Sequence, residues 1–335
     1  MRTGTPWRAV SALPRMSSPR TRSDVTMKTN RIVRVPRLVW CVCVCSTGLA
    51  AGAQELEPRA YTNAPIGLNF LLAGFTDSEG GVLFDPSVAL DNAHIRVDGP
   101  VIGYARSLRI GDMSSKVDVA ISHVCLSGSA DFQGQPVSGR RCGASDSRVR
   151  WSVNFFGAPA LSLKEFAGYR QNLVIGASLQ IGVPTGQYDA SKLINVGTNR
   201  WSAKPEIGVS KVLGQRWSVD LALAGAFFQT NNDYYGGRTR AQDPIYSFQA
   251  HAVRAFPKGV WVAVDGTRYR GGRTVTDGFA DQNLQSNGRL GLTVAVPINR
   301  HQSLKVYYST GVVTRTGTDF DTVGGAWQYR WGGGF

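Results

Sequence analysis

The chain has 335 residues, 39 of them glycine, and a formal net charge of +14. The first 53 residues hold nine Lys/Arg against the single acid Asp24, so the rest carries only +6, spread without a dense run. A nucleic-acid partner needs clustered basic side chains that focus a field on phosphate, and this distribution excludes one.

Residues 1–26, rich in Arg, Ser and Pro, read as a mis-start upstream of Met27 or a disordered extension. Residues 27–53 have the parts of a secretory signal. Lys28, Arg31, Arg34 and Arg37 precede an apolar run from Leu38 to about Ala51, and Ala51-Gly52-Ala53 supplies a small-residue cleavage site before Gln54. The run is too short for a membrane helix, which needs about 20 apolar residues. Cys41, Cys43 and Cys45 leave with the signal. Cys125 and Cys142 remain, an even pair in an oxidising compartment, and a disulfide between them is expected. Residues 54–66 read as a periplasmic N-terminal segment.

From 67 to 335 the apolar pattern has period two. Trp217, Val219, Leu221 and Leu223 alternate with Ser218, Asp220, Ala222 and Ala224. Leu290, Leu292, Val294 and Val296 alternate with Arg289, Gly291, Thr293 and Ala295. About a dozen strands of some 10–14 residues follow, near the length that a tilted strand needs to cross a bilayer. They begin near Gly67, Ile95, Lys116, Ser147, Asn172, Ala203, Trp217, Pro244, Val260, Ser286, Ser303 and Thr322. Tight turns such as Gly214-Gln215 and Pro257-Lys258-Gly259 alternate with long polar loops at 77–93, 126–146, 184–202, 230–243 and 271–285. The stretch 158–171 breaks that rule and has room for a short helix. A two-sheet sandwich also alternates, but turn asymmetry and strand length favour an all-β, closed antiparallel transmembrane barrel of about 12 strands. The last strand places Trp327, Tyr329, Trp331 and Phe335 on one face, a form similar to the C-terminal signal read by the outer-membrane assembly machinery.

One stretch carries a family resemblance. Val183-Pro184-Thr185-Gly186-Gln187-Tyr188-Asp189 is followed by Asn195-Val196-Gly197-Thr198-Asn199-Arg200-Trp201 and the strand Pro205-Glu206-Ile207-Gly208-Val209-Ser210. This resembles the MetA-pathway of phenol degradation family of outer-membrane transporters. The resemblance implies uptake of hydrophobic or aromatic compounds and brings no site residues. For such a barrel the expected partners are outer-membrane lipid, the barrel assembly machinery, periplasmic chaperones and a small-molecule solute, with no cofactor.

The inward face is where transport chemistry is expected. Strand parity assigns to it Arg148, Arg150, Asn154, Lys204, Glu206, Asp220, Gln249, His251, Asp265, Arg289, Lys305 and Arg330. Two readings stand: a cationic wall that selects anionic solutes, or ion pairs that fill a narrow barrel. The loop 231–237 (N-N-D-Y-Y-G-G) is either a flexible tip or a stacking site for a ring. Trp201, Trp217, Trp261 and Tyr269 are expected in the interfacial aromatic girdles. No His/Cys/Asp/Glu spacing fits a metal site. A barrel enzyme of lipase type, built on His251, is the alternative function, although no G-x-S-x-G elbow is present. A structural or adhesive barrel with a filled lumen is the third.

Overall fold

A computed structural model describes residues 57–81, 90–132, 135–192, 194–313 and 319–334. The expected extension, signal, Gln54 and Phe335 lie outside these residues. The chain runs β1 (Leu68–Gly81), β2 (Leu90–Ile110), β3 (Met113–Phe132), β4 (Gln135–Ala144), β5 (Ser147–Pro159), α1 (Leu163–Phe166), β6 (Leu173–Val183), β7 (Ser202–Leu213) and β8 (Trp217–Phe228). It continues β9 (Asn231–Tyr234), β10 (Arg238–Gln242), β11 (Ile245–Ala255), β12 (Trp261–Gly271), β13 (Thr274–Thr276) and β14 (Phe279–Ala280). The last strands are β15 (Gln285–Pro297), β16 (Gln302–Val313) and β17 (Asp319–Gly332).

Twelve of these strands close into one antiparallel ring, in the order β2-β1-β17-β16-β15-β12-β11-β8-β7-β6-β5-β3, and β3 returns to β2. The seam between the first and last strands is unbroken from Leu68 opposite Gly332 to Gly81 opposite Asp319. Closure removes the free edges that an aromatic-rich terminal strand would otherwise expose.

Burial is inverted relative to a water-soluble fold. Leu221, Leu223, Leu290, Leu292, Val306 and Tyr308 are exposed, while Asp220, His251, Asp265 and Thr293 are buried. Apolar side chains gain nothing from facing water, so this arrangement is stable only with hydrocarbon outside the ring and the polar groups satisfied within it. The period-two pattern thus carries through from sequence to wall. Trp327, Tyr329 and Trp331 form a stacked column on β17, with ring centroids 6.0 and 5.7 Å apart.

The structure corrects several expectations. β2 and β3 have 21 and 20 residues and project beyond the other strands. The segment 126–146 is therefore no loop; β4 pairs with the upper part of β3, and Cys125 faces Cys142 in register, joined by a disulfide. The long connections at 230–243 and 271–285 contain β9, β10, β13 and β14, which pair as a separate four-stranded sheet. Trp201 and Trp217 are 49% and 47% exposed, as girdle residues should be, but Tyr269 is 2% exposed and packs inward on Ile245 and Ala226. Trp261 also points inward, beneath the Arg59 guanidinium. Both share parity with Asp265, so strand alternation outweighs their aromatic character. The stretch 158–171 does hold a short helix, α1, started by a capping box between Ser162 and Glu165.

Candidate functional site

Residues 57–66, expected on the periplasmic side, run inside the ring instead. Their anchors begin at the short-turn mouth. Ile66 N–H donates to Leu161 O at 2.9 Å, and Gly67 N–H to Ser107 O at 3.0 Å. The Ser107 hydroxyl donates to Pro65 O at 2.6 Å. Asn63 then bridges the wall, its N–H donating to Gln171 Oε1 and its amide to Pro159 O, both at 3.1 Å.

Further in, Tyr61 is the centre of the segment. Its hydroxyl donates to Glu206 Oε1 at 2.9 Å and lies 3.3 Å from Ser178 Oγ. Its ring sits against Gly176 and Gly208, which are cross-strand partners on β6 and β7. A methyl group on either glycine would overlap the ring. Two side chains are absent from the inward wall at the place where one aromatic side chain fills it. Burial with Glu206 beside it pushes the Tyr61 phenol well up.

Two charged residues complete the segment. Arg59 donates its backbone N–H to Asp220 Oδ2 at 2.9 Å and lays its guanidinium over Trp261, 5.5 Å from the ring centroid. Glu57 bonds Arg150, which also reaches Asp118 Oδ2 at 3.1 Å. Burial pushes the Glu57 carboxyl up, but Arg150, with Lys116 and Lys204, more than offsets it and holds the group at about 2.

The residues expected on the inward face fall into separate groups. Arg150, Lys204 and Glu206 gather around Glu57 and Tyr61, with Lys204 Nζ 3.6 Å from Glu206 Oε2. Asp220, His251 and Asp265 form one row across β8, β11 and β12. There His251 Nδ1 lies 2.7 Å from Asp265 Oδ1, and Thr293 Oγ1 donates to Asp265 Oδ2 at 2.7 Å. Gln249 is buried one inward position above. Arg289 stands apart and donates to Ser309 Oγ at 2.8 Å and Thr322 Oγ1 at 3.2 Å. Asn154 donates to Ser114 Oγ at 3.1 Å. Lys305 lies over Tyr307, 6.0 Å from its centroid. Arg148 lies on β5 two residues before Arg150 and is half-buried. Arg330 sits at the short-turn mouth, bonding Arg300 O at 2.7 Å. No hydroxyl bonds the His251 ring among the described residues, so a histidine and its orienting carboxylate are present without the nucleophile of an acyl-transfer site.

The opposite mouth is built from the long loops. Asp146, which no sequence pattern singled out, holds the family-like stretch in shape. Its Oδ1 accepts Gly186 N–H at 2.9 Å, and its Oδ2 accepts Thr198 N–H at 2.9 Å and the Thr198 hydroxyl at 2.6 Å. Gly186 and Gly197 meet backbone to backbone, with no space for a Cβ on either. Asn195 closes the same loop onto Asp189 N–H at 2.8 Å. Asn231 joins it to β9 by donating to the Tyr188 hydroxyl at 3.0 Å. The 231–237 run is therefore a pinned hairpin start, with Asn231 and Tyr234 buried. Arg240 donates to Tyr234 Oη at 2.8 Å, and Arg200 stacks on Phe228 at 4.8 Å. Burial and the neighbouring Arg240 push the Arg200 guanidinium down to about 10.

Known proteins share this architecture. An outer membrane channel from Pseudomonas putida F1 superposes with a TM-score of 0.70 at 16% identity, over 83% of this chain and all of that one. The transport unit of the autotransporter AIDA-I from Escherichia coli superposes with a TM-score of 0.55 at 6% identity, over 84% of this chain and 95% of that one. No curated protein matches the chain. At these identities the likeness establishes the fold, a bacterial outer-membrane β-barrel. The family model described as "Putative MetA-pathway of phenol degradation" matches residues 75–327, and the chain belongs to that family.

Proposed function

We propose that the barrel is a passive channel for small hydrophobic or aromatic compounds, and that its N-terminal segment narrows the path. The observation that carries this reading is the way residues 57–66 are held. Their contacts to the wall are mostly single hydrogen bonds and one ion pair, together with the Tyr61 ring, and the wall closes without them. The family description supports the aromatic class of solute. An energy source and a cofactor have no part in the reading.

The test uses the refolded mature chain in liposomes and planar bilayers. Uptake of phenol and toluene above that of protein-free liposomes, with a small steady conductance, is the expected result. Folded, heat-modifiable protein that adds nothing to aromatic flux would sink the proposal. A second reading, hydrolysis, draws on the His251–Asp265–Thr293 contacts. Ester turnover that disappears in His251→Ala would favour it over passage.

A further inference from the structure

The outward face carries charge at the long-loop end, and it does so in two ways. On β1 and β2 the basic side chains have acidic neighbours: Arg96 Nη2 lies 2.6 Å from Asp77 Oδ2, and the His94 ring lies 3.5 Å from Glu79. On β12, Arg268 and Arg270 share the outward parity of the exposed Val264, and both are exposed. Arg268 donates to Ser286 Oγ at 3.1 Å. Among the described residues neither arginine has a carboxylate within ion-pair distance.

Beside them the wall is dented. Pairing of β7 with β8 runs to Ala203 opposite Phe227, lapses at Lys204 and Pro205, and resumes at Glu206 opposite Ala224. Pro205 has no N–H to give the ladder, and Gly225 across from it has no side chain. The outcome is an apolar depression of about 630 Å³. Ile207, Leu223, Tyr246 and Phe248 wall it, and the two arginines rim it. The rows agree in register: Gly225, Tyr246 and Arg270 are neighbours across β8, β11 and β12, as are Leu223, Phe248 and Arg268.

We propose that this face binds a phosphorylated lipid of the outer leaflet, with the headgroup phosphate on Arg268 and Arg270 and an acyl chain along the dent. A guanidinium fork matches two phosphate oxygens at once. A cation on the lipid side of a barrel is costly near the midplane and tolerated at headgroup depth. Two arginines without a protein acid thus have their counter-charge in the headgroup layer, and the dent lies directly next to them on the apolar side. This site is on the outer wall and is independent of any path through the lumen.

The experiment is a binding titration of the refolded chain in neutral-detergent micelles, using lipid A and enzymatically dephosphorylated lipid A. Heat-modifiability on gels first verifies that each variant is folded. Wild type should prefer the phosphorylated form by about tenfold, close to 1.4 kcal/mol. Arg268→Gln/Arg270→Gln should lose that preference, and Arg96→Gln should keep it. Gly225→Leu, which fills the dent, should weaken both forms. A folded double variant that retains the preference would overturn the proposal. So would full competition by inorganic phosphate at the lipid concentration, since that identifies a simple anion site.

Discussion

Glu57 gives the most direct control over the N-terminal segment. Its carboxyl is held at about 2 against an ordinary value near 4.5, with burial opposing the shift and Arg150, Lys116 and Lys204 producing it. A depressed carboxylate contributes attachment that is fully present above the free-chain value and is lost as pH falls toward the bound value. Conductance is therefore expected to stay flat from pH 7 to 5 and to rise only as pH drops from about 4.5 toward 2. Glu57→Gln removes the charge at every pH. It should raise conductance already at pH 7 and flatten the acid rise. Single-channel recording across that range checks both; an unchanged acid rise in the variant would assign it to other groups. The same residue shows a limit of sequence reading. Strand alternation identifies Arg150 as inward, but its partner Glu57 is 93 residues away in a stretch with no period of its own. The one readable trace of the segment is the pair Gly176 and Gly208, inward positions whose missing side chains seat Tyr61.

At the scale of elements, the sequence determined strands well and connections poorly. Eleven-to-fourteen-residue strands such as β8, β15 and β16 alternate cleanly, because one face meets lipid and the other does not. β9, β13 and β14 have four, three and two residues, too few for a period to emerge. The β3–β4 hairpin was hidden for another reason. Ser and Gly are its commonest residues, and its buried apolar positions, Leu126, Ala130 and Val137, are too few to set a period. Its stability rests on the ladder and on the Cys125–Cys142 bond, which joins residues 17 apart. Closing a loop of that size is worth about 3 kcal/mol, and the effect should remain local because the ring below closes through β2–β3 and β3–β5. Cys125→Ala/Cys142→Ala is thus expected to keep the heat-modifiable gel shift of the folded barrel while trypsin cuts after Arg140 or Arg141 in intact cells. Mass mapping of the fragments decides it. Loss of the gel shift would mean that the hairpin supports the whole barrel.

For the whole molecule, two structures bear on passage: the segment inside the ring and the loops pinned at the far mouth. The ring's hydrogen-bonded ladder closes without the segment, which adds the packing of Tyr61 on Ala158 and Val174 and a few polar contacts. Each strand pairs with two neighbours, and the lipid-facing band is complete without residues 57–66. The segment, by contrast, has no strand partner and is held by side chains of β5, β6, β7 and β8 and, nearer the short-turn mouth, by Ser107, Pro159, Leu161 and Gln171. Deleting residues 57–64 should therefore leave a folded barrel that melts within a few degrees of wild type and conducts several-fold more. The loss of Tyr61 exposes an inward wall that is mostly polar, so the added conductance should carry ions and hydrophilic solutes without selectivity for aromatics. Should conductance stay at the wild-type level in a folded deletion variant, the constriction lies in the loops. The Asp146 clamp on Gly186 and Thr198 would then be the place to look, because it fixes the loop that Asn231 joins to β9 at that mouth. Asp146→Ala frees three donors at once. A rise in conductance from that change, with none from the deletion, would locate control of passage at the extracellular end.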